Sequence, residues 1–97
     1  MKLMQISFHF EFTDRIEAIL DSNDIQHYVR YSMIQGKDSD GKHFGNQIYP
    51  GSITVIQAQV PPEKIDDLFD DLRAFKIAKN AHQHLEALVL PIEQRLT

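Results

Sequence analysis

This chain predicts an α+β fold, with four strands in one antiparallel sheet and two helices packed on one of its faces. Three observations carry that expectation. Residues 2–10 alternate with the period of a half-buried strand, with Met4, Ile6, Phe8 and Phe10 on one side and Leu3, Gln5, Ser7 and His9 on the other. Ile65, Leu68, Phe69, Leu72 and Phe75 follow helical spacing. The strand-like and helix-like segments succeed one another as β-α-β-β-α-β.

After the first strand, Asp14 can cap a helix, and Glu17 three residues later completes a capping box. Ile16, Ile19 and Leu20 give that helix its apolar stripe, and Asp21-Ser22-Asn23-Asp24 ends it. Residues 25–35 read as a second strand, rich in β-branched and aromatic residues. A third strand opens at Ile53 and runs to Val60, where Pro61-Pro62 stops it, because proline cannot donate to a ladder. Proline suits the first turn of the helix that follows. The opposite face of that helix carries Lys64, Asp66, Asp67, Asp70 and Asp71 and reads as solvated. Residues 76–83 read as a polar connection, and Leu85 to Ile92 as the last strand, with Pro91 placing its end at an edge.

The order is that of the ferredoxin-like βαββαβ plan, with a long loop between strands two and three. The second sheet face then needs cover. The expected register places Leu3, Val55, Leu85, Ala87 and Val89 there, and an exposed apolar patch of this kind marks a subunit interface.

All 4 glycines, Gly36, Gly41, Gly45 and Gly51, fall between residues 36 and 51. Structureless loops beyond about 12–15 residues are usually functional or disordered. Glycine frees the backbone for close approach to a ligand or partner. This window is therefore the first candidate for a working part, a flexible arm between two strands.

The chain's 97 residues predict a single domain, and the absence of cysteine excludes disulfides, thiolate metal sites and thiol nucleophiles. The net charge of −4 argues against general nucleic-acid binding. No apolar stretch is long enough to span a bilayer, and the start lacks the apolar run of a signal peptide, so a cytoplasmic protein is expected.

Gly36, then four residues, then Gly41-Lys42 imitates a phosphate-binding loop. His43 stands where that loop needs Ser or Thr for magnesium, Asp38 and Asp40 put negative charge where phosphates would lie, and no helix follows. Asp38-Ser39-Asp40-Gly41 imitates a calcium loop in the wrong register. His82-Gln83-His84 places two imidazoles on one face if the last strand already starts there, and His43 or another subunit could add a third ligand for zinc, copper or nickel. Ser39 and Ser52 have no triad context, and the helix carboxylates have nothing to shift their pKa, so no catalytic residues are expected.

With the topology and the long loop in place, the chain resembles PII-like proteins, the superfamily of nitrogen-regulatory PII proteins and the copper-tolerance protein CutA. The matching parts are Met1-Lys2-Leu3, the stretch from Gly41 to Gly51 with its Gly-x-His-x-Gly and Tyr-Pro-Gly elements, Pro61-Pro62-Glu63-Lys64, and Val89-Leu90-Pro91-Ile92-Glu93. Those elements look most like the small next-generation PII-like group, whose members are often associated with transport systems. The resemblance implies a non-enzymatic homotrimer with small effectors bound in the clefts between subunits. It also implies that the 36–51 loop, a T-loop, reaches a partner such as a membrane transporter. Mapped here, the ligand-binding residues are Gly36, Lys37, Lys42, His43, Pro50 and Gly51, facing Lys76 and Lys79 in the 76–84 connection. That connection has no glycine, so the backbone phosphate cradle of nitrogen-sensing relatives is missing, which speaks against ATP or ADP as effector. CutA implies a metal-homeostasis alternative through His43, His82 and His84. A small ferredoxin-like enzyme, using His9 or Tyr31, is a third expectation.

Overall fold

The computed structural model describes residues 1–34, 36–38, 41–43 and 53–97, with side chains for 1–34 and 53–97. β1 spans Lys2–His9, α1 Thr13–Ser22, β2 Tyr28–Ile34, β3 Gly36–Asp38, β4 Gly41–His43, β5 Ile53–Val60, α2 Ile65–Ala78 and β6 Glu86–Pro91. Four strands form one sheet in the order β2-β5-β1-β6, and every pairing is antiparallel. The expected α+β, ferredoxin-like architecture is thus the observed one. Within the glycine-rich window, β3 and β4 pair as a separate two-stranded ladder, with Gly36 opposite His43 and Lys37 opposite Lys42. Residues 39, 40 and 44–51 of that window, Gly45, Pro50 and Gly51 among them, lie outside the described residues.

The alternation in β1 does what its period requires. Met4, Ile6 and Phe8 are buried, and they pair with Ala58, Ile56 and Thr54 of β5, which share their face. Ile16 and Leu20 of α1 and Leu68 and Leu72 of α2 close over this face as one core with Ile25, Val60 and Leu85. Each fully buried aliphatic side chain contributes about 1.5–3 kcal/mol relative to exposure.

The far face differs from the expected one. Met4 pairs with Val89 and Ile6 with Ala87, so Ala87 and Val89 pack on the helix side, and Leu85 is buried in the core. A strand's side chains change face with every residue, so the shift carries Leu88 and Leu90 to the outside instead. Leu3 and Val55 do lie there, joined by Val29 and Tyr31 of β2. A bulge between Tyr31 and Ile34 reverses the parity of β2, and Ile34 pairs with Ile53 on the outer face. Met33, inside the bulge, has φ 60°, a left-handed conformation uncommon for a residue with a Cβ.

The first helix is capped otherwise than its sequence predicts. A turn of 3-10 helix, Phe10–Phe12, precedes α1, and Asp14 lies inside the first turn with no capping hydrogen bond from the N-cap residue Phe12. The Thr13 hydroxyl donates to the Phe10 carbonyl at 2.6 Å. Glu17 turns away from the helix start and accepts from Arg30 at 2.8 Å and from the Tyr28 hydroxyl at 3.1 Å, tying α1 to β2. At the other end the chain closes in a Schellman motif. Asp24 donates to the Asp21 carbonyl and Ile25 to that of Leu20, both at 3.0 Å. Asp24 takes the left-handed position, φ 59°, that glycine usually fills. No described helix is long and apolar enough to cross a membrane.

Candidate functional site

The ladder registers gather the chain's connections at one end of the sheet. Ile53, the first residue of β5, pairs with both Ile34 at the end of β2 and His9 at the end of β1, while Glu86 at the start of β6 pairs with Ser7. Both ends of the glycine-rich connection therefore emerge beside the 10–13 turn and the 79–85 turn. α2 runs on to Ala78, three residues into the stretch expected to be a connection, and a 3-10 turn, Asn80–His82, follows.

That turn folds one of the candidate metal ligands inward. His82 is only 3% exposed. Its ring stacks on Phe75, with centroids 3.8 Å apart and planes 2° apart, and meets the edge of Phe12 at 4.6 Å. Nδ1 lies 2.6 Å from the Phe75 carbonyl and Nε2 lies 3.2 Å from an Arg15 nitrogen. Guanidinium can only donate, so Nε2 accepts, and Nδ1 carries the proton that caps a carbonyl in the last turn of α2. Both nitrogens are occupied. β6 begins at Glu86, so the condition for His82 and His84 to share a strand face is not met. The His43 side chain lies outside the described set, and among the described residues no group of three or more metal-binding side chains occurs.

The two candidate lysines of the connection also part company. Lys76 donates to the Leu85 carbonyl and lines a groove of about 310 Å³ with Phe69, Leu72, Arg73 and Leu85. Lys79 lines a different cavity of about 380 Å³, shared with Glu11, Phe12, Arg15, Ala81 and His82. Gly36, Lys37, Lys42 and His43 belong to the β3–β4 ladder, whose side chains are not described, and Pro50 and Gly51 lie outside the described residues. Sequence reasoning missed Arg15, Phe12 and Phe75 as neighbours of the site. Phe75 was legible only as a core position, and nothing in the local pattern distinguishes Arg15 from a solvated helix cation. Tyr31 lies half exposed on the outer sheet face, and His9 sits beside Glu11, its Nδ1 3.4 Å from the carboxylate.

Two groups away from this end have shifted pKa values. At the far end of α1, the Asp24 carboxyl lies below its ordinary 3.8, because it accepts from Gln26 and faces the Lys64 ammonium at 3.4 Å. The Tyr28 hydroxyl lies above its ordinary 10.0, chiefly through burial and then through its hydrogen bond to the Glu17 carboxylate.

No family model matches the chain, and no curated protein matches it. Solved structures do. CPII, a nitrogen regulatory PII-like protein from Thiomonas intermedia K12 bound to ADP, AMP and bicarbonate, superposes with a TM-score of 0.77 over 91% of this chain and 81% of that one, at 22% identity. A DUF3240 family protein from Shewanella baltica OS155 gives 0.75 over 99% of this chain and 93% of that one, at 15% identity. CPII without ligand gives 0.63 over 92% and 89%, at 18% identity. The likeness extends over nearly the whole length, and the chain has the fold of PII-like proteins.

Proposed function

We propose that the chain is a non-enzymatic, PII-like regulatory protein of the cytoplasm. It assembles as a single-domain homotrimer and binds a small effector in the clefts between subunits. It presents residues 36–51 to a partner such as a membrane transporter. One observation carries the reading: both ends of the glycine-rich connection emerge at the same sheet end as the Lys79–His82 turn and its cavity. A ligand settling there can bias the arrangement of the connection, an order–disorder switch of the kind many regulators use. Gly36, Lys37, Lys42, His43, Pro50, Gly51, Lys76 and Lys79 are the proposed effector-binding residues.

Two further observations support it. CPII has been solved with ADP, AMP and bicarbonate, which makes nucleotides and small carboxylate-like anions the first effectors to try. The outer sheet face is apolar where Val29 (55% exposed), Tyr31 (48%), Leu88 (55%) and Leu90 (49%) stand, and a face of that kind is buried by association. Metal homeostasis through His43, His82 and His84 is the weaker reading, because both His82 nitrogens are already engaged. Mass in solution together with calorimetric titration of ADP, AMP and bicarbonate tests the proposal. Three copies per particle and a saturable heat with at least one effector are expected; a monomer or dimer that binds none of the three overturns it.

A further inference from the structure

We propose that Arg15 and Lys79 form a binding site for an oxyanion, a phosphoryl or carboxylate group, on the helix side of the sheet end, with His82 as its positioning residue. Both cations line the cavity of about 380 Å³. Lys79 and this cavity belong to the effector region proposed above, so the site rests on that reading and deepens it by assigning the anion's seat to residues of one chain.

The chemistry follows from what each group has left to offer. Arg15 spends one N–H on His82 Nε2 and keeps the rest of its planar fork, the geometry that matches an oxyanion bidentately. Its guanidinium carbon lies 5.9 Å from the Phe75 ring centroid, a cation–π distance that steadies it further. Lys79 is the residue at which α2 ends, with extended backbone, so its side chain leaves the helix beside the cavity. Among the described residues neither cation has a carboxylate within ion-pair distance. Glu11 also lines the cavity, but its carboxylate sits 3.4 Å from His9 Nδ1. Two cations, Arg15 and Lys79, face the cavity against the single carboxylate of Glu11, and an anion held between the cations offsets the positive charge that remains.

His82 makes the site specific without touching the ligand. It is wedged between Phe12 and Phe75, and its Nδ1–H is fixed on a helix carbonyl, so Nε2 points one way. That nitrogen accepts from Arg15 and aims the guanidinium, the arrangement by which a supporting hydrogen bond preorganises a binding residue.

Titration of the full chain with inorganic phosphate and, separately, with acetate tests the site, followed by NMR of the Arg15 side-chain N–H groups and the His82 ring nitrogens. Saturable binding of either anion is expected, with the His82 Nε2 signal shifting on the same curve. Arg15→Gln and Lys79→Gln, both at exposed positions, each weaken it at least tenfold, while Arg73→Gln, an exposed cation elsewhere on α2, leaves it within twofold. His82→Phe weakens it several-fold although both cations remain. Tighter phosphate than acetate assigns a phosphoryl ligand, and the reverse a carboxylate. Absence of binding by both anions, unchanged affinity in Arg15→Gln and Lys79→Gln, or equal loss in Arg73→Gln overturns the site. ADP binding that survives in Arg15→Gln and Lys79→Gln overturns this site alone, whereas anion binding by a monomer that ignores nucleotides retains it and removes the regulatory reading.

Discussion

Replacing His82 by phenylalanine removes two hydrogen bonds while keeping a ring of similar shape in the stack. The ring is almost fully buried, so the Phe75 carbonyl, which accepts from Nδ1 at 2.6 Å, loses that partner with little water to replace it. Stranding a buried acceptor costs about 1–3 kcal/mol. Arg15 is exposed, so its released N–H returns to solvent at little cost. His82→Phe is therefore expected to destabilise by about 2 kcal/mol, which for a domain near 100 residues lowers Tm by about 8–16 °C. His82→Ala adds the loss of ring packing against Phe12 and Phe75, worth roughly 1–2 kcal/mol more. Urea unfolding read by circular dichroism, with the slope held common, gives both numbers. A cost below about 0.5 kcal/mol for His82→Phe, or no extra cost for alanine, refutes the assignment of His82 as a buried cap of α2.

Leu88→Lys with Val29→Lys charges the outer sheet face and is expected to dissociate the oligomer while leaving the far-UV spectrum intact, read by light scattering; an unchanged mass sinks the interface. Asp24 and Tyr28 act on opposite limbs of the stability–pH curve. Asp24's folded pKa is depressed, so its contribution is present above about pH 3.8 and lost as pH falls through the lower folded value, and Asp24→Asn flattens that acid limb. Tyr28's folded pKa is raised, so stability falls as pH rises past about 10 toward the higher folded value, and Tyr28→Phe flattens the alkaline limb. A parallel curve for either variant contradicts the linkage. Met33→Ile, a β-branched side chain at φ 60°, costs about 1–3 kcal/mol, whereas Met33→Gly stays within about 0.5 kcal/mol; equal effects mean the bulge relaxes.

The sheet was legible because its core strands obey a two-residue period that burial enforces: Met4, Ile6 and Phe8 could lie only together. The register of β6 was not, since Glu86-Ala87-Leu88-Val89-Leu90 is apolar on both faces, and only its pairing with β1 decides that Ala87 and Val89 face the helices. Asp14 and Glu17 match a capping box, yet Arg30 and Tyr28 compete for Glu17, and a strand neighbour distant in sequence wins. The histidines mislead for a similar reason. A pair at i and i+2 implies one face only in a strand, and the chain instead places a 3-10 turn there, which buries His82 against two phenylalanines. Arg15 joined the site through a contact 67 residues along the chain, which no local pattern encodes.

On the proposed reading, residues 36–51 report what occupies the sheet end from which their connection emerges. Amide hydrogen exchange of that segment, measured with and without saturating ADP, AMP and bicarbonate, tests it most directly. A change in protection confined to 36–51 and the 79–85 turn is expected when an effector binds. Exchange in 36–51 that is identical with and without a bound effector contradicts it.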